Sequence, residues 1–378
     1  MYPSMGGIEQ VARDIANSIA TVERYEQKII CFNETVSDGG YICNRRETVH
    51  DKVDGVEVIR CGCFMKKASQ SLSFTFAREL KNLMESFKPN IVIFHYPNPF
   101  EAHYLLKYAD QDFKLILYWH LDIVRQKFLG KLFHFQTLKL LKRAEAVIAT
   151  SPLYIDGSPY LSKFREKCTV IPNCVDENRL KITDAIREKA EKIREDNPQK
   201  IICFSIGRHV PYKGFEYLIE ASKYLDNRFK FFIGGKGELT GKLIKKASGD
   251  EKIKFLGRIS NEDMIAYYVA MDIFCFSSIT KNEAFGIALA EAMYFGKPAV
   301  TFNIPGSGVN FLCVNGVQGI EVENKNAKAY AEALKKLADD PALRLKMGES
   351  AKTRVKQNFM SSHFTSNILN LMRHYEKS

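Results

Sequence analysis

The chain has 378 residues, 46% of them hydrophobic and 26% charged, a balance that excludes wholesale disorder and a length that points to two domains. No apolar run approaches the roughly 18 residues that would signal a membrane-spanning helix, and no signal peptide is visible. Against 44 Asp+Glu, 55 Lys+Arg leave a formal charge of +11, which draws nucleic acid, anionic membrane or phosphorylated small molecules without choosing among them.

Taken in chain order, short β-branched or aromatic runs alternate with helical patterns. The predicted strands are 28–32 (KIICF), 56–60 (VEVIR), 90–96 (NIVIFHY), 114–119 (KLILYW), 146–150 (AVIAT) and 168–171 (CTVI). After a gap come 200–206, 230–234, 253–257, 272–277, 298–302 and 319–323, with helices predicted at 70–87, 215–225, 260–270 and 283–296. Strands apolar throughout, separated by helices, signal parallel sheets covered on both faces. Two such series predict an α/β chain of two doubly wound, Rossmann-like domains.

The expected organisation is an N-terminal domain over 1–175, a charged connector over 176–199, a C-terminal domain over 200–357, and a final helix over 358–378 crossing back to the first domain. The glycine loop at Gly6 and Gly7 arrives with almost nothing before it, whereas a doubly wound domain opens with a strand. The expectation is therefore a first strand upstream in the natural product. The nine cysteines are odd in number and scattered, with no zinc-ligand spacing. Cys61 and Cys63 form a lone CxC, read as buried or idle thiols in a reducing cytoplasm.

Chemistry concentrates at 205–221, SIGRHVPYKGFEYLIEA. A buried strand ends at Gly207, Arg208 follows, and Lys213 precedes Gly214 and a helix. Two cations and a helix N-terminus beyond a strand's carboxyl end suit a diphosphate. In 282–297, NEAFGIALAEAMYFGK, Glu283 and Glu291 are eight residues apart, about two turns on one side of a helix. Set among apolar residues, the two carboxylates need partners, and hydroxyls of a ligand would serve. Gly286 permits close backbone approach.

These segments, with GGIEQVARDIA (6–16), VIPNCVD (170–176), FIGGKGEL (232–239), FLGRIS (255–260) and EAMYFGKPAV (291–300), resemble the retaining glycosyltransferases of family 4, of GT-B fold. The resemblance covers nearly the whole chain and implies two Rossmann-like domains facing each other across a cleft. It implies that Arg208 and Lys213, with Gly207, hold the donor diphosphate and that Glu291 binds the ribose. Glu283 and the backbone of Ala284, Phe285, Gly286 and Ile287 would contact donor sugar and phosphate. Gly6 and Gly7 would face the donor phosphates, and His120, in YWHLDIV, would lie near the reacting sugar. Catalytic roles then fall to Arg208, Lys213, His120 and Glu283. Cys174 stands where the family often has glycine.

The resemblance further implies a UDP- or GDP-sugar as co-substrate, a glycan or lipid-linked acceptor, retention of configuration, and no cofactor or metal. The stretch 306–319 resembles transferases of bacterial surface polysaccharides, some of which use mannose donors. The basic, apolar stretch 125–143 carries six cations and no acid, consistent with docking on anionic lipid at the inner membrane face or with an ordinary helix packed on its sheet; Lys66, Lys67 and Arg78 add charge. Rival readings are another GT-B enzyme, an epimerase or a phosphorylase, and a basic nucleic-acid binder. The chain contains no recognised nucleic-acid module, so no nucleic-acid partner is expected.

Overall fold

The computed structural model describes residues 7–34, 41, 43–67, 70–108, 110–123 and 129–376. Gly6 and the first part of the basic stretch, 125–128, lie outside them. The chain divides into two compact units. The first comprises Met1–Thr150, Ser158–Ile171 and Phe364–Ser378; the second comprises Ser151–Gly157 and Pro172–His363.

In the first unit, β1 (Lys28–Phe32), β2 (Val49–Val53) and β3 (Val56–Cys61) form a sheet of order β1-β3-β2. β1 and β3 run parallel, whereas β2 is antiparallel to β3. The reversal follows from Asp54 (φ 50°) and Gly55 (φ 87°), both left-handed as a tight hairpin turn of matching twist requires. β4 (Met65–Lys67) pairs antiparallel with β5 (Gln70–Leu72). A four-stranded parallel sheet holds β6 (Ile91–Tyr96), β7 (Lys114–Trp119), β8 (Ala146–Ala149) and β9 (Cys168–Val170), in that order.

The helix predicted at 70–87 begins later, at Phe74, because Ser73 accepts the Phe76 N–H and caps it there, and residues 70–72 are strand. It continues as a five-residue π-turn, Leu83–Phe87. In the helix Leu129–Arg143, Leu140 and Leu141 are wholly buried, and Arg143 donates to Phe113 O at 2.7 Å. Lys139, Lys142 and Phe135 lie on the exposed side. No helix of the described residues is long and apolar enough to cross a membrane.

The second unit is built on one six-stranded parallel sheet: β10 (Ile201–Ile206), β11 (Phe229–Gly234), β12 (Ile253–Gly257), β13 (Ile273–Phe276), β14 (Ala299–Phe302) and β15 (Gly319–Val322). Their spatial order is β12-β11-β10-β13-β14-β15. The order reverses direction at β10/β13, where doubly wound sheets bind ligands beyond the strands' carboxyl ends. Phe204, Phe231, Phe274, Tyr268 and Tyr330 fill the core. The charged stretch around 184–195 forms the helix Asp184–Glu195, with Ile186 and Ala190 buried. Arg194 pins it by a bidentate pair to Asp272 at 2.9 Å for each bond.

Candidate functional site

The site in the second unit grows from the end of β10. Gly207 N–H donates to Gly234 O at 3.2 Å, and Gly235 N–H to Gly257 O at 2.7 Å. A Cβ on Gly235 would sit 1.9 Å from Gly207 O, so these loops touch backbone to backbone. The chain then turns through Pro211–Lys213 to Gly214, at φ 61°, before the helix Phe215–Ser222. Ser277 donates to Lys213 O at 2.8 Å and Ile279 N–H to Tyr212 O at 2.9 Å. This turn is thus stitched to the loop after β13.

Within it, Arg208 is exposed and forms no ion pair with a described residue, while Lys213 is drawn in, its side chain 15% exposed. Lys213 Nζ pairs with Glu283, which also accepts from Ser278 Oγ at 2.9 Å. Burial works against the ammonium charge, but the Glu283 carboxylate outweighs it and raises the Lys213 pKa. The rings of Phe276 and Tyr212 lie 5.3 and 5.5 Å from Nζ. One cation is thus open to solvent beside one that is held and kept charged, the kind of pairing that charge-assisted bonds to an anion need.

Glu283 and Glu291 do not share a helix. Gly286, at φ 96°, is the N-cap of a helix running only over Ile287–Tyr294. Its left-handed backbone stops the helix from extending back, so Glu283 lies in the preceding loop. Phe285 is buried against Phe359, ring centroids 5.6 Å apart; only its backbone is available to a ligand. Ala284 and Ile287 are half-buried beside it. Leu289 and Ala290 N–H both donate to Gly286 O at 3.0 Å, which leaves the amides of Ile287 and Ala288 beyond the reach of an intrahelical acceptor. Glu291, mid-helix and 6% exposed, accepts from Tyr268 Oη at 3.0 Å.

In the first unit, His120 directly follows β7 and its Nε2 lies 2.9 Å from His95 Nδ1. Trp119 Nε1 and Ser158 Oγ donate to buried Asp122 at 3.1 and 2.7 Å, anchoring the segment after His120. Gly7 opens the helix Gly7–Ala20 and is exposed. Cys61 and Cys63 are buried, and burial pushes the Cys63 thiol up to about 11.

Two family models match consecutive parts of the chain: "Glycosyltransferase Family 4" over residues 5–179 and "Glycosyl transferases group 1" over 186–354. The chain is a group 1 glycosyltransferase. It is similar to a D-rhamnosyltransferase of Pseudomonas aeruginosa, 28% identical over 81% of this chain and 78% of the relative. It is also similar to O-antigen chain mannosyltransferase C of Escherichia coli, at 25% identity over 98% and 95%. Among solved structures, Anabaena HepE in complex with UDP and glucose superposes with a TM-score of 0.74 at 18% identity, covering 97% of this chain and 96% of that one. The fold is GT-B.

In this glycosyltransferase, residues that motif reading passed over contact the candidate site residues. Tyr268 and Ser278 orient the two glutamates, but each lies in an apolar segment that reads as core. His95 sits in IVIFHY, a strand like its neighbours. Its one signal was a second imidazole at the carboxyl end of a strand adjacent to that of His120.

Proposed function

We propose that this glycosyltransferase moves a hexose or deoxyhexose from a nucleotide-diphosphate sugar to a glycan or lipid-linked acceptor in bacterial surface polysaccharide synthesis, with retention and without metal. The named activities of the Pseudomonas and Escherichia relatives support the sugar class and the polysaccharide setting. One observation carries the donor assignment: Arg208 and Lys213 stand together beyond the carboxyl end of β10, the second held charged by Glu283.

Cleavage of the donor's sugar–oxygen bond builds negative charge on the departing diphosphate. A preorganised pair of cations stabilises that charge without reorganising. The Lys213 ammonium has three donors, so it can keep Glu283 while donating to a phosphate oxygen. The amides of Ile287 and Ala288, at the start of their helix, are proposed to reach the same kind of anion, and Glu291, held by Tyr268, to accept from ribose hydroxyls. The acceptor attacks on the face the leaving group departs from, and a donor phosphate oxygen takes its proton. His120 is proposed to touch the reacting sugar. Lys139, Lys142 and Phe135 are proposed to meet anionic lipid at the inner membrane face.

Calorimetry with UDP, GDP, ADP and their common sugar conjugates in the presence of EDTA tests the core of this reading. One nucleotide binding in wild type and lost in Arg208→Ala is expected. Silence across the panel, or binding that survives Arg208→Ala unchanged, overturns the donor site.

A further inference from the structure

Two imidazoles meet at the carboxyl ends of β6 and β7. His95 is paired in register with Tyr118, and the His120 backbone N–H donates to Tyr96 O at 3.0 Å. Both rings are therefore delivered by sheet backbone and not by mobile loops. Nδ1 of His95 lies 2.9 Å from Nε2 of His120, and the ring planes are 14° apart. Tyr118 packs against both, with centroids 5.6 and 4.8 Å away. His120 is 8% exposed.

At 2.9 Å two bare nitrogens would oppose lone pairs and two N–H groups would collide, so one proton lies between the rings. Burial disfavours charge on either imidazole: it pushes His95 down to about 4 and, with His95 adjacent, His120 well below the usual range. Both rings are then neutral near pH 7. For a neutral pair, the nitrogen that keeps the shared proton dictates where the other proton of His120 sits. Tyr118 lies along one flank of the His120 ring, and the backbone bond to Tyr96 fixes the point on the sheet from which that ring projects.

We infer that His95 is a positioning residue for His120, its shared proton locking His120 in one tautomer and one ring plane so that His120 Nδ1 meets a sugar hydroxyl with a single hydrogen-bonding sense. The inference rests on the proposed place of His120 beside the reacting sugar. A histidine placed there merely for packing would be replaceable by phenylalanine without effect on its neighbour.

The deciding experiment is 15N NMR of the whole chain labelled at histidine, without ligand. In wild type His120 is expected to show one nitrogen of protonated type and one of bare type; in His95→Phe the two signals move toward their average. His95→Asn, whose amide reaches the position of Nδ1, restores the separation and keeps the inference testable should the phenylalanine variant not fold. A double-mutant cycle completes the test, using hydrolysis of whichever nucleotide sugar the binding panel selects. There His95→Phe lowers kcat about 10-fold with donor KM nearly unchanged, as loss of an orienting partner does, and adds nothing in a His120→Ala background. Averaged His120 signals in wild type, or full additivity in the cycle, overturn the inference. An unchanged kcat in His120→Ala overturns the role of His120 itself, a separate failure from that of the tautomer lock.

Discussion

The Tyr268 hydroxyl donates to Glu291 Oε2 at 3.0 Å, and both residues are buried. A carboxylate so placed mid-helix needs a donor to hold its charge and direction. Removing the hydroxyl in Tyr268→Phe leaves packing intact and takes away one donor that directs that carboxylate. Nucleotide affinity is expected to fall by about 3- to 10-fold, the worth of one hydrogen bond of roughly 0.5–1.5 kcal/mol. Isothermal calorimetry of the bound nucleotide measures it, with Glu291→Ala as the upper limit; an unaltered Kd removes Tyr268 from the donor site.

Lys213→Ala strips the held cation. Turnover is expected to fall at least about 100-fold, since one preorganised charge contact is worth roughly 2.7–4 kcal/mol in the transition state. Steady-state rates on the selected sugar nucleotide decide this, and near-normal turnover would take Lys213 out of the chemistry.

The neutral histidine pair gives stability a pH dependence. His95, lowered by burial to about 4, stays uncharged in the fold where the unfolded chain takes up a proton, between its ordinary value near 6.5 and about 4. Its contribution is present above pH 6.5 and is lost as pH falls through that window, at up to about 1.4 kcal/mol per pH unit. Glu101, which burial and then Glu34 raise to about 8, acts in the opposite sense but is common to wild type and variant. The melting temperature of wild type should therefore drop more steeply than that of His95→Phe between pH 7 and 4.5. Parallel curves would contradict an imidazole held neutral by the fold.

Gly214 combines a left-handed φ of 61° with a Cβ position 2.2 Å from Ser277 O. Gly249 has φ 85° and open space around it. Gly249→Ala should cost only the backbone strain, about 1–2 kcal/mol. Gly214→Ala should cost more and also weaken nucleotide binding, because the turn carrying Lys213 must move off Ser277. Denaturant melts of the two variants separate the effects, and equal losses would show that the turn yields freely.

Much of this architecture could be read beforehand. The inner strands of the second unit were visible because a parallel strand buried on both faces is a nearly unbroken apolar run, as in IICFSI. Arg208 and Lys213 stood out because cations beside glycines after such a run have no packing role. The Glu283–Glu291 pair misled, since spacing alone suggests a shared helix, while Gly286 turns the backbone left-handed between them. β2 went unread because VHDKV is too polar to resemble a core strand, although Asp54-Gly55 marks its hairpin. Tyr268 and His95 were hidden for another reason: a ring in an apolar segment that orients a neighbour is indistinguishable in sequence from one that fills space.

That hairpin matters for how the molecule behaves in a crowded solution. It folds a strand bearing His50, Asp51 and Lys52 back along Val56–Cys61, so a passing chain that tried to extend the sheet on this side would have to strip water from charged groups first. A break at Asp54-Gly55 would instead bare an apolar ribbon with open amides and carbonyls. Self-association at high concentration, well before any loss of turnover, would be the earliest symptom of damage there.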